Sequence, residues 1–248
     1  MRTSNPTLNQ RAFQNPGYGA VYGQTMTIDG TVNKTGFLLI LLTLSAAVPW
    51  TLFFAFKAIP LVMLLALIGL IGGLVTGLVT VFKKEWSMVT APLYACFEGL
   101  LLGSISAIFE RSYPGIAIQS VGLTFGTLCG LLLAYRSGMI RVTENFKMGV
   151  IAATFGICLM YLVSFVLSLF GIRLGFIHGN GLLSIGISLV IVGVAALNLV
   201  LDFDFIENAA RQGAPKYMEW YSAYGLLVTL VWLYLEILRL LSKLRSRD

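Results

Sequence analysis

Seven apolar runs, each long enough to cross a bilayer, constrain this chain more than any other feature. They fall at 35–56, 58–82, 89–109, 115–135, 148–170, 181–204 and 220–241. A helix needs about 20 apolar residues to span the hydrocarbon core. Charged residues make up only 11% of the chain and hydrophobic ones 57%, where a soluble domain carries about 25% charged residues. The mean hydropathy is +0.85. The expected fold is all-α, an integral membrane bundle of seven transmembrane helices. Short connections make 35–248 one compact transmembrane domain with a short basic C-terminal end. Residues 1–34 hold no apolar run that could serve as a cleavable signal, and they read as a polar cytoplasmic tail.

The formal charge of +6 points to membrane orientation rather than to nucleic acid. No basic stretch is interleaved with aromatics as a single-strand binder requires. With the N-terminus in the cytoplasm, that side collects Arg2, Arg11, Lys34, Lys83, Lys84, Arg136, Arg141, Lys147, Arg211 and Lys216. The loops opposite hold Lys57, Arg111 and Arg173. This asymmetry gives a multi-pass protein of the cell inner (plasma) membrane with a cytoplasmic N-terminus. The end of the chain runs against the pattern, because Arg239, Lys243, Arg245 and Arg247 then lie on the outer side. Either a late segment fails to cross or the last span tolerates its basic end.

Glycine and alanine recur at four-residue intervals in three spans. The series are Gly69, Gly73 and Gly77; Gly99, Gly103 and Ala107; and Gly122, Gly126 and Gly130. Each forms a smooth helix face, read as packing within a monomer or at most a weak oligomer. The cysteines Cys96, Cys129 and Cys158 sit inside apolar runs without a CxxC pair, and His178 stands alone in a loop. They suggest no disulfide framework, metal site or cofactor.

The remaining chemistry is acidic. Glu98 lies midway along the third run. A carboxylate at the bilayer centre costs about 3 kcal/mol on insertion scales, so it should face the bundle interior. Asp202 and Asp204 are two residues apart and cannot share one helix face. Asp202 aligns with Asn198 one turn earlier and is the inward choice. Asp204 and Glu207 read as a wet helix end beside Arg211. Glu236 shares a face with Gly225, Thr229 and Trp232, and Arg239 is close enough to pair with it. A pore-lining role and a local ion pair both fit Glu236. No HExxH, GxSxG or P-loop occurs, so no enzyme is expected.

The segments Leu93-Tyr94-Ala95-Cys96-Phe97-Glu98-Gly99-Leu100-Leu101-Leu102-Gly103 and Leu201-Asp202-Phe203-Asp204-Phe205-Ile206, followed by a short polar loop and a last span ending in Leu238-Arg239-Leu240-Leu241, resemble the transmembrane Bax inhibitor motif family. The start Arg2-Thr3-Ser4-Asn5-Pro6 is similar to its bacterial YccA-like branch. The resemblance implies a last helix near the bundle centre and a pH-sensitive calcium leak channel. In the family, two aspartates of the last two spans share a proton, and a basic residue of the second span belongs to the gating latch. The first aspartate falls on Asp202, but the second falls on Thr229. Lys83 and Lys84, at the end of the second run, are the nearest gating bases. The expectation is therefore a cation leak, with Ca²⁺ as the permeant ion and H⁺ as its regulator, through Asp202, Glu98, Glu236, Asp204 and Thr229. The alternative is a non-transporting regulator that binds a membrane protease or a stress or cell-death partner.

Overall fold

The computed structural model describes residues 25–171, 175, 179 and 181–246. Its described residues form seven helices long and apolar enough to cross a membrane. They are α1 (Ile28–Phe54), α2 (Ile59–Phe82), α3 (Ser87–Ser112), α4 (Ile116–Arg136), α5 (Glu144–Leu169), α6 (Leu182–Arg211) and α7 (Met218–Arg245). A single 3-10 turn, Lys84–Trp86, joins α2 to α3. Large apolar side chains cover the outside, for example Leu67, Leu133 and Phe155, as lipid contact requires.

Local chemistry sets the helix ends. Thr27 caps α1 by accepting from the Gly30 amide at 3.0 Å, so the last part of the stretch read as tail is already helical. Thr143 caps α5 by accepting from the Phe146 amide at 3.2 Å. Pro60 opens α2 in the first turn, where its missing N–H costs nothing. Gly115 turns the chain between α3 and α4 at φ 83°, a backbone region that favours glycine.

The last helix is the axis of the bundle. It packs against α1, α3, α4 and α6. One of its faces carries Ala223, Tyr224, Leu227 and Val231 into a core shared with Leu38, Ala91, Ala95 and Leu102 of α1 and α3. Its other apolar face carries Leu226, Leu230, Leu233 and Ile237 against Ala195, Leu199, Phe203 and Ile206 of α6.

Two of the three small-residue series do the packing expected of them. A Cβ on Gly99 or Gly103 would overlap the backbone of α1 at Leu42 and Ala46, and one on Gly69 would meet the α3 backbone at Phe97 and Leu101. The third does not. A Cβ on Gly122, Gly126 or Gly130 would find nothing within 4 Å. Instead, α4 buries Ile116, Ala117, Ser120 and Thr124, on a different face. Spacing alone cannot say which face of a helix meets protein. A Gly103→Leu change should therefore destabilise the protein by about 1–3 kcal/mol through overpacking, whereas Gly126→Leu should leave it unchanged or slightly stabilised. Thermal unfolding of both variants in the same detergent checks the contrast.

Candidate functional site

The acidic stretch of α6 is not the end of its helix. The helix continues to Arg211, so the three carboxylates occupy its last turns and meet different neighbours. Asn198 donates to Thr154 Oγ1 of α5 at 2.8 Å and to its own helix at Val194 O. One turn on, the Asp202 carboxyl neighbours the Thr229 hydroxyl of α7, while Asp202 Oδ2 is buried without a hydrogen-bond partner. Thr229 also lies 3.3 Å from Gly225 O, one turn back on its own helix.

Asp204 was expected to be wet and beside Arg211. It is instead only 18% exposed and pairs with Lys147 of α5 at 3.1 Å. Glu207 does pair with Arg211 at 2.5 Å, and it also accepts from Tyr135 of α4 at 2.5 Å. The reason is the length of α6. Because the helix runs past the acids, α4 and α5 flank them where solvent was expected.

Glu98 is buried in a separate place. It accepts from Tyr94, one turn earlier on α3. Its Oε2 faces Gly73 of α2, where a Cβ would come within 3.1 Å. The Tyr94 ring stands edge-on to Tyr224 at 4.9 Å, and the Tyr224 hydroxyl reaches Gly77 O at 3.3 Å. Glu98 therefore belongs to a tyrosine cluster between α2, α3 and α7. Asp202 is held on the α6 side of α7.

Glu236 adopts the local pair. It is 2% exposed. Arg239 contacts it at 3.1 Å, and Tyr161 of α5 donates to both of its oxygens at 3.0 and 3.1 Å. Lys83 and Lys84 reach neither Glu98 nor Asp202. They lie over aromatic rings, Lys83 over Trp86 at 4.6 Å and Lys84 over Tyr221 at 5.2 Å, at the end of α2. Among the described residues, no three His, Cys, Asp or Glu side chains gather as a metal site. Cys96, Cys129 and Cys158 are free thiols, and His178 lies outside the described residues.

Two buried charges were not singled out in the sequence. Glu219, in the first turn of α7, is fully buried. It accepts from the Thr27 amide and hydroxyl, both at 2.9 Å, pairs with Lys216 at 3.0 Å, and bonds Lys34 of α1. Gly30 leaves the room this carboxylate occupies. The chain just before α1 completes the clamp, with the Met26 amide donating to Ala214 O at 2.7 Å. The available signal was a glutamate opening a helix three residues after a lysine, a pattern easily set aside as loop. At the other end of α7, Lys243 donates to Ser184 and Ser188 of α6 at 2.8 and 2.7 Å, and Arg245 donates to Pro114 O and Gln119. The basic end of the last helix is thus received by α4, α5 and α6.

The family model described as Bax inhibitor 1 like matches residues 5–246. Neither the curated proteins nor the solved structures compared with the chain gave a match.

The clamp yields a stability prediction. Glu219→Ala should cost about 1–3 kcal/mol, because the Thr27 amide and two lysines lose their acceptor. Lys34→Ala should cost less, since that side chain is 19% exposed. Thermal unfolding of both variants in detergent gives the order.

Proposed function

This chain belongs to the Bax inhibitor 1 like family, and from that membership we propose a non-enzymatic, cofactor-free membrane protein that leaks cations, Ca²⁺ first among them, under control of H⁺. The observation that supports the reading is the Asp202 carboxyl. It lies inside the bundle with one oxygen unpartnered, beside Thr229 of α7 and one turn from Asn198 on its own helix. A carboxylate and a hydroxyl are oxygen donors of the kind a hard divalent ion prefers. A buried carboxylate oxygen without a hydrogen bond is costly in lipid unless a proton or a cation meets it. Competition between proton and cation for that oxygen gives the pH dependence its sign: protonation removes the charge that attracts Ca²⁺. Thr229 cannot hold a shared proton as a second aspartate would, so Asp202 titrates without an acidic partner across α6 and α7.

A second reading has its own support. Thr229 stands where the resemblance places the second aspartate, which fits a non-transporting regulator of a membrane protease or a stress partner. A truncation that tests it has to stop at residue 24, because Met26 and Thr27 are part of the clamp on α7.

Purified protein in liposomes loaded with a calcium dye separates the two. The channel reading expects Ca²⁺ influx above that of empty liposomes, falling as the bath is acidified. Asp202→Asn should lower the influx about tenfold or more, equal to about 1.4 kcal/mol, and flatten its pH profile. Influx equal to that of empty liposomes, together with loss of partner capture in native membranes on deleting residues 1–24, favours the regulator.

A further inference from the structure

The three helices around Asp202 share a register. On α5, Lys147, Thr154 and Tyr161 are spaced seven apart and meet Asp204, Asn198 and Glu236 respectively. On α7, Ser222, Thr229 and Glu236 are spaced seven apart as well. A seven-residue step is close to two helical turns, so each set forms one stripe along its helix. Running α5 antiparallel to α6 places Thr154 level with Asn198, and the Tyr161–Glu236 bond places Thr154 level with Thr229. The stripes therefore sit at matching heights on the two helices, linked at Tyr161 and Glu236, with Asp202 and Asn198 on α6.

Two buried side-chain oxygens lack a hydrogen-bond partner among the described residues, Asp202 Oδ2 and Ser222 Oγ. Both belong to these three helices, and Ser222 is the first member of the α7 stripe. Elsewhere the spans are not short of satisfied hydroxyls: Thr80 meets Thr90 at 2.7 Å, and Ser106 meets Tyr234 at 2.7 Å. The cavity of about 350 Å³ between α1, α3, α4 and α7 is lined almost wholly by apolar side chains such as Leu42, Trp50 and Phe125. Its polar lining is limited to the hydroxyl residues Thr43, Ser106, Thr124 and Tyr234, and it offers a cation no carboxylate.

The outer wall of the seam is the least attached helix. Helix α5 buries only Val150 and Ser164 and packs substantially against α6 alone. Polar contacts, rather than an apolar interface, hold it in place.

From this juxtaposition we propose that the polar seam between α5, α6 and α7 is the hydrated cation route, and that α5 is its movable wall. The route runs from the Lys147–Asp204 pair, past Thr154, Asn198, Asp202 and Thr229, to Tyr161 and Glu236. The charged groups facing Asp202 from its surroundings are paired. Lys147 is held by Asp204 and Glu144, Glu207 by Arg211, and Glu236 by Arg239. Asp202 is therefore the unpaired charge on the route. This proposal rests on the leak reading above and adds its path and its gate.

Two measurements test it in the full chain with Cys96, Cys129 and Cys158 replaced by serine. In the first, single cysteines at positions 154 and 161 are compared with lipid-facing controls at 155 and 162, using a membrane-impermeant cationic thiosulfonate on proteoliposomes. Because only a hydrated thiolate reacts, 154 and 161 should label about tenfold faster than the controls. Equal or absent labelling overturns the hydrated seam, whether or not the protein conducts. In the second, Thr154→Cys is combined with Asn198→Cys and oxidised to tie α5 to α6. Ca²⁺ influx should fall on oxidation and return on reduction. Unchanged influx with the disulfide verified by mass spectrometry overturns α5 as the wall and leaves the leak reading standing. No influx from the protein that keeps its own Thr154 and Asn198 overturns the leak reading itself.

Discussion

Lipid offers no hydrogen bond, so every polar atom within the spans must find a partner in the protein or in water that the protein admits. That constraint organises this bundle. The hydroxyls of Thr31, Thr35, Thr76, Thr80, Ser104, Ser106, Ser120 and Thr124 fold back onto carbonyls in the preceding turn of their own helices. Most of them ask nothing of a neighbour, although Thr80 also meets Thr90, Ser104 also meets Val62 O and Ser106 also meets Tyr234. Carboxylates and lysines cannot be satisfied so locally. Each therefore becomes a tie between helices: Glu219 to α1, Glu98 into the tyrosine cluster, Glu236 to α5, and Lys243 to α6.

These ties fall mostly on α7, which explains its place at the centre. An outer helix can present one stripe to protein and the rest to lipid. A helix with Glu219, Ser222, Glu236 and Lys243 buried at intervals along its length has polar demands on several faces. Those demands are met only if other helices surround it. The aliphatic faces between the charges then pack against α1, α3 and α6 as a consequence.

The number, order and apolar character of the helices were legible in the sequence, because the length of an apolar run is a direct readout of bilayer thickness. Pairing was less so. Asp202 could be placed inward from its alignment with Asn198, and Thr229 as its counterpart. Spacing within one helix, however, says nothing about a neighbour. Lys147 was read only as a positive charge on one side of the membrane, yet it answers Asp204. The Gly122–Gly126–Gly130 series looked identical to its counterparts on α2 and α3, but α4 turns it away from the bundle. Glu219 showed in the sequence only its local partner Lys216, because Thr27 and Lys34 lie almost the whole chain away.

The same constraint bears on which part of the bundle can move. Hydrogen bonds between helices in membranes contribute on average about 0.6 kcal/mol each, since a separated helix soon finds other partners or lipid contacts of equal quality. The polar contacts of helix α5 include those at Lys147, Thr154 and Tyr161, with little apolar burial beside them. By contrast, α1 and α3 are locked by glycines whose replacement would drive side chains into backbone, and α7 by buried charges that cannot be exposed to lipid. A bundle that admits water or a cation at Asp202 has one inexpensive way to do so. It can release α5 while the other helices keep their contacts.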